Sequence, residues 1–212
     1  MSPRPRASTD ADLLAATHRV VSRLGPNLTL ADVAKEAGVS PATLVQRFGS
    51  KRKLLLAFAS AGSADQGPVY AQIRAAHRSP LAAVYGVAEC MAGMARTPEI
   101  LSNSLAFLQI DLVDPEFHKH AHAQSRGSKI QIKKLLDEAV ANRELRRCDT
   151  ERLARAIQSM MGGALVQWAI DRDGRAADRM REDLDVLLNP RRRSGRKKAA
   201  RRGKKAEGRT KK

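Results

Sequence analysis

At 212 residues and 42% hydrophobic, the chain can bury one or two cores, and its 3% aromatic content beside abundant Ala and Leu favours packed helices over strands. No run approaches the ~18 apolar residues of a membrane helix, and "MSPRPRASTD" has no apolar core after its arginines, which argues against a secretory signal and for a cytoplasmic location. The net charge of +17 is uneven, because residues 191–212 hold thirteen Lys or Arg against the single acid Glu207, leaving +5 on the remainder.

In chain order, residues 1–9 read as a flexible arm. A first helix is expected over 10–24, with Asp10 as cap, Leu13, Thr17, Val20, Val21 and Leu24 on one face, and Gly25-Pro26 as its end. Further helices are expected over 30–37, 41–47, 51–62, 69–77, 80–95, 98–112, 115–142, 150–171 and 176–188. Four starts carry a capping residue followed by Pro: Ser40-Pro41, Ser79-Pro80, Thr97-Pro98 and Asp114-Pro115. Proline at the first helical position needs no N–H partner, and the preceding oxygen satisfies free amides. Thr29 with Asp32 reads as a capping-box variant, and Ser50 and Asp149 as further caps. No segment alternates apolar and polar residues long enough for a strand. The fold class is all-α, with nine or ten helices divided into residues 10–56 and 57–190. Cys90 and Cys148 lack metal or disulfide spacing and read as reduced thiols. The segment 191–212 has no apolar periodicity and reads as a disordered tail with a polyanionic partner.

The stretch "DVAKEAGVSPATLVQRF" has the layout of a helix-turn-helix. Leu30, Val33, Ala34 and Ala37 share a face of one short helix, Gly38 can reverse the chain, and Ser40-Pro41 starts the next. Leu44 and Phe48 turn inward, while Pro41, Ala42, Thr43, Gln46 and Arg47 turn outward. A helix entering a major groove needs such a slim, hydrogen-bonding face. An ordinary helical hairpin is the alternative.

The longer stretch "LTLADVAKEAGVSPATLVQRFGSKRKLLLAFA" resembles the DNA-binding domain of TetR-type transcriptional regulators. "GGALVQWAIDRDG" is similar to the penultimate helix of many members. The resemblance implies that Thr29 caps the scaffold helix near phosphate, that Ser40, Pro41, Ala42, Thr43, Gln46 and Arg47 face double-stranded DNA, and that Lys51 grips the backbone. Many members carry Tyr where this chain has Val45, so one phosphate contact is expected to be missing, with Arg4, Arg6 or the tail as candidates to compensate.

The resemblance also implies a homodimer and a bound effector. Ile157, Met160, Ala164 and Trp168 form one helical stripe with Leu153, and Met180, Leu184 and Leu187 form another. With Gly162 and Gly163 allowing close approach, both are candidates for an intermolecular four-helix bundle; packing within one subunit is the alternative. Tyr85, Met91, Met94, Phe107, Phe117 and His122 are candidates for a pocket taking a small apolar or amphipathic effector, with plain core as the competing reading. His118 and His122 share a face, but no Cys or carboxylate at matching spacing completes a metal site, and no cofactor is expected.

The expected function is a ligand-responsive dimeric repressor at a palindromic operator, located in the bacterial cytoplasm and on the nucleoid when bound. The alternative is a nucleoid-type protein that coats DNA through its tail. No P-loop, GxSxG, HExxH or GxGxxG after a strand occurs, so an enzyme is not expected.

Overall fold

The computed structural model of the chain describes residues 8–193; the arm through residue 7, with Arg4 and Arg6, and the basic segment from residue 194 lie outside the described residues. The helices are α1 (Asp10–Leu24), α2 (Leu30–Ala37), α3 (Pro41–Phe48), α4 (Lys51–Ser63), α5 (Gly67–Ala76), α6 (Pro80–Met94), α7 (Pro98–Val113), α8 (Pro115–Ala141), α9 (Thr150–Asp171) and α10 (Ala176–Leu188). Among the described residues the one β feature is an isolated antiparallel bridge between Leu145 and Arg192.

The local signals explain the boundaries. Ser40, Ser79, Thr97 and Asp114 each accept an amide of the helix that their Pro begins. Thr29 and Asp32 form a reciprocal capping box. The first helix starts differently from expectation, because Thr9 is its cap and forms the same box with Asp12. Asp10 is thereby left in the first turn, where the helix dipole favours an acid. α5 begins at Gly67, before the expected position, with Pro68 in its first turn.

Two cores follow. Leu13, Val20, Leu28, Val33, Leu44 and Leu54 form the N-terminal one, and Phe107 and Phe117 from the body complete it. Leu136, Ile157, Met161, Met180, Leu184 and Leu188 anchor the larger one. α4 runs unbroken through the expected boundary at 56/57, so the two units share a helix. α8, with 27 residues, spans about 40 Å at ~1.5 Å per residue. It starts beside α4, and the turn that follows it meets the start of α6 and the segment after α10. The chain stays ordered past Asn189-Pro190, since Arg193 donates its N–H to the Glu144 carbonyl at 3.0 Å.

Candidate DNA interface and ligand cavity

Between α2 and α3, Gly38 takes a left-handed conformation (φ 67°), and its N–H reaches the carbonyls of Ala34 and Lys35. That reversal sets α3 across α2, with Leu44 fully buried as its anchor. Ser40, Pro41, Ala42, Val45, Gln46 and Arg47 are exposed, and Thr43 is half-buried. The Thr43 hydroxyl lies 3.0 Å from that of Ser40. The outer face of α3 is therefore slim, with Ser40, Thr43, Gln46 and Arg47 as its polar groups and Val45, 47% exposed, as its largest apolar one. An exposed valine cannot bind phosphate, but its methyls can meet a thymine methyl.

Two basic residues assigned to DNA are engaged within the chain. Arg47 donates to Asp10 at 2.6 Å and to the Ser8 carbonyl at 3.3 Å. Lys51 donates to the Pro26 carbonyl at 2.7 Å from a half-buried position. Lys51 thus ties α4 to the turn after α1. Thr29 is exposed at the start of α2, and its two hydrogen bonds hold the Asp32 carboxyl below its usual range.

A seam links this unit to the body. Arg52, in the first turn of α4, donates to both carboxylate oxygens of Asp114 at 2.8 and 3.2 Å and also pairs with Glu116. Its guanidinium lies 5.3 Å from the centre of the Phe117 ring. Phe117 meets Phe107 edge-on, and Phe107 meets Phe58 of α4 edge-on. On the other side, Asn103 of α7 donates to the carbonyls of Ser22 and Arg23 at the end of α1. The sequence reading missed Arg52 and Asn103, because their partners lie far away along the chain and no local pattern marks them.

The expected pocket set divides. Met91 and Met94 do line a cavity of about 320 Å³ together with Tyr70, Cys90, Ser128 and Met161. Tyr85 does not; its hydroxyl donates to Asp185 at 2.6 Å and accepts from Arg192 at 2.8 Å. Phe107 and Phe117 belong to the N-terminal core and the seam. His122 is exposed and stacks on His118. Of the residues sequence reasoning missed, Gln66 stands just before α5, and Tyr70, Ser128 and Gln158 are polar positions on otherwise ordinary helices. No Asp, Glu, Lys, Arg or His is among the residues lining the cavity. Ser128 donates to Gln66 at 2.7 Å, and burial pushes the Tyr70 phenol up. An apolar molecule with one neutral hydrogen-bonding group matches that lining.

The expected partner-facing stripes lie mostly inside the protomer. Ile157, Met180 and Leu184 have no accessible surface, Ala164 and Trp168 are buried, and Met160 and Leu187 only half-exposed. These residues close the protomer's own core, because α9 and α10 pack on each other and on the body. The exposed apolar positions on the same two helices are Val166 (37%), Ile170 (68%) and Val186 (74%). Gly163 lies on that outer side, with nothing within 4 Å of an added Cβ. A second exposed apolar row, Leu105, Leu108 and Leu112, runs along α7. No helix among the described residues is long and apolar enough to cross a membrane.

The model of bacterial regulatory proteins of the tetR family matches residues 13–58, and that of the BetI-type transcriptional repressor C-terminal domain matches residues 82–189. Among solved structures, the chain is similar to a TetR transcription regulator from Haloarcula marismortui (TM-score 0.71, 15% identity, 87% of this chain and 98% of that one). It is also similar to a TetR-family regulator from Rhodococcus sp. (TM-score 0.63, 21% identity, 84% and 97%). The regulator FadR from Bacillus subtilis, solved in complex with stearoyl-CoA, matches at TM-score 0.63 and 15% identity over 85% and 98%. No curated protein matches.

Proposed function

The chain belongs to the tetR family of bacterial regulatory proteins and is a DNA-binding transcriptional regulator, and we propose that it acts as a ligand-responsive dimeric repressor at a palindromic operator. The observation that carries this reading is the exposed face of α3 on a unit clamped to the body at Arg52. Pro41, Ala42, Thr43 and Gln46 approach base edges, and Arg47 joins them after leaving Asp10. The partner subunit packs against the outer side of α9 and α10 at Gly163, Val166, Ile170 and Val186. The stripe is apolar, and its glycine permits close helix approach. Two recognition helices then sit in successive major grooves, ~34 Å apart.

The effector of this reading is small, uncharged and mainly apolar, and it occupies the cavity between α5, α6, α8 and α9. Filling it moves α8 against α5, and the Arg52–Asp114 contact carries that movement to α4. The two recognition helices then lose their spacing. The test is selection of bound duplexes from a random pool by the full-length chain at fixed physiological salt. Enrichment of a palindrome supports the reading. Binding without enrichment supports instead a nucleoid-type coat.

A further inference from the structure

Three loops meet at the C-terminal end of α8, about 40 Å along that helix from its start at the Arg52 seam. The Arg146 N–H donates to the Arg191 carbonyl at 2.7 Å, and the Arg193 N–H to the Glu144 carbonyl at 3.0 Å. The Glu144 carboxylate accepts from the Ser79 hydroxyl and the Leu81 amide, both at 3.0 Å. Residues 78–81, 143–147 and 191–193 therefore form one surface.

That surface exposes Arg78, Arg143, Arg146, Arg147 and Arg193. Among the described residues none of these five has a carboxylate within ion-pair distance, and the nearby acids are committed elsewhere. Glu144 caps α6, Asp149 pairs with Arg152, and Asp185 holds Tyr85 and Arg192. Arg143 also stands in a left-handed conformation (φ 61°), where glycine would be unstrained. The fold thus keeps a concentration of positive charge here that no carboxylate of the described residues pairs.

The chain leaves this patch at Arg193 and adds ten Lys or Arg between residues 196 and 212 against Glu207.

We infer that this patch is a second polyanion site, which takes a segment of double-stranded DNA separate from the one read by α3. The surrounding loops offer no exposed aromatic side chain to stack on unpaired bases, and Leu145, their one large aliphatic between Arg143 and Arg147, is buried away from any lipid. A duplex needs neither, only phosphates at regular spacing. The choice of DNA over other polyanions rests on the DNA-binding reading above, and the site would let one protein hold two duplexes.

The test uses the full-length chain, an immobilised duplex carrying the selected operator, and a labelled duplex without it, at physiological salt. The wild type should retain the labelled duplex. The triple variant R143Q/R146Q/R147Q should lose that retention by roughly tenfold or more, as three phosphate contacts imply, and its salt slope should fall by about 3. Its operator affinity should change less than about twofold. Equal retention by the variant, equal loss of operator affinity, or retention of an RNA hairpin or anionic vesicles in place of the duplex would each overturn the inference. Direct binding of the labelled duplex by the full-length T43A/Q46A variant separates the two readings. Patch-dependent binding there sustains the second site even if no operator exists, and its absence there sinks the second site alone.

Discussion

Arg52 and Asp114 stand 62 positions apart in the sequence and are joined by two hydrogen bonds of 2.8 and 3.2 Å. Their contact fastens the start of the helix after α3 to the turn between α7 and α8. Planar guanidinium against carboxylate fixes direction as well as distance. The same Asp114 caps α8, so one side chain sets both the helix start and the seam.

The substitution Asp114→Asn separates those roles, because Asn is also a good cap. The hydrogen bond from Arg52 holds the Asp114 carboxyl below its ordinary value of 3.8. A lowered folded value means that the pair stabilises the fold fully above 3.8 and loses that contribution as pH falls through the folded value. Urea midpoints of wild type and variant should differ at pH 7 and converge in acid. The variant should also release DNA less completely when the cavity is filled. A gap that persists unchanged into acid would show that the ion pair is not its source.

Arg47 spends the free state bound to Asp10. Asp10→Asn removes that competitor and one negative charge from beside the groove. Affinity for DNA should rise several-fold, with the salt slope steeper by about one contact. The lost pair is exposed and worth only about 0.2–1 kcal/mol of stability. Titrations at three salt concentrations would check both numbers, and weaker binding by the variant would show that Asp10 positions Arg47 for DNA instead of withholding it.

How far the sequence reveals this molecule depends on the range of the signal. Ser40-Pro41 and Gly38 act within one turn, so the helix starts and the reversal into α3 are legible from neighbours alone. Stripes such as Ile157–Ala164 and Met180–Leu184 are also legible, but periodicity marks a buried face without saying whose surface buries it. Here the protomer itself covers them, and the exposed Ile170 and Val186 look unremarkable in sequence. Phe107 and Phe117 resemble pocket residues for the same reason. The cavity and seam depend on Ser128 meeting Gln66 and Arg52 meeting Asp114, pairings that only the folded path of α8 creates.

Tyr85 shows a different pH window. Burial, then its hydrogen bond to Asp185, pushes its phenol up to about 12 from 10.0. Here the neutral form is favoured by the fold, so the contribution is complete below 10 and fades as pH rises towards 12. Absorbance of the phenolate should show both tyrosines of the chain ionising above the ordinary value, since Tyr70 is raised as well. Tyr85→Phe should remove the later step and speed amide exchange at Arg146 and Arg193, whose strand pairing Arg192 steadies. Unchanged exchange there would mean that the backbone bonds alone hold the segment.

At the other end of the seam, Asn103 donates to Arg23 at 2.7 Å and to Ser22 at 3.1 Å, covering carbonyls that the end of α1 leaves open. Gly25 lies directly beneath it, with φ at +58° and an added Cβ only 3.3 Å from the Asn103 backbone. Asn103→Ala should cost about 0.5–1.5 kcal/mol, since the Arg23 carbonyl is exposed and water can replace its donor while the Ser22 carbonyl is half-buried. Gly25→Ala should cost more than ~1 kcal/mol, because strain at positive φ adds to a contact that backbone cannot relieve. The two sites touch, so their effects should not add. A double variant less destabilised than the sum of the single ones, by urea unfolding, would establish that α1 and α7 are joined at this point; strict additivity would mean that each residue acts on its own helix.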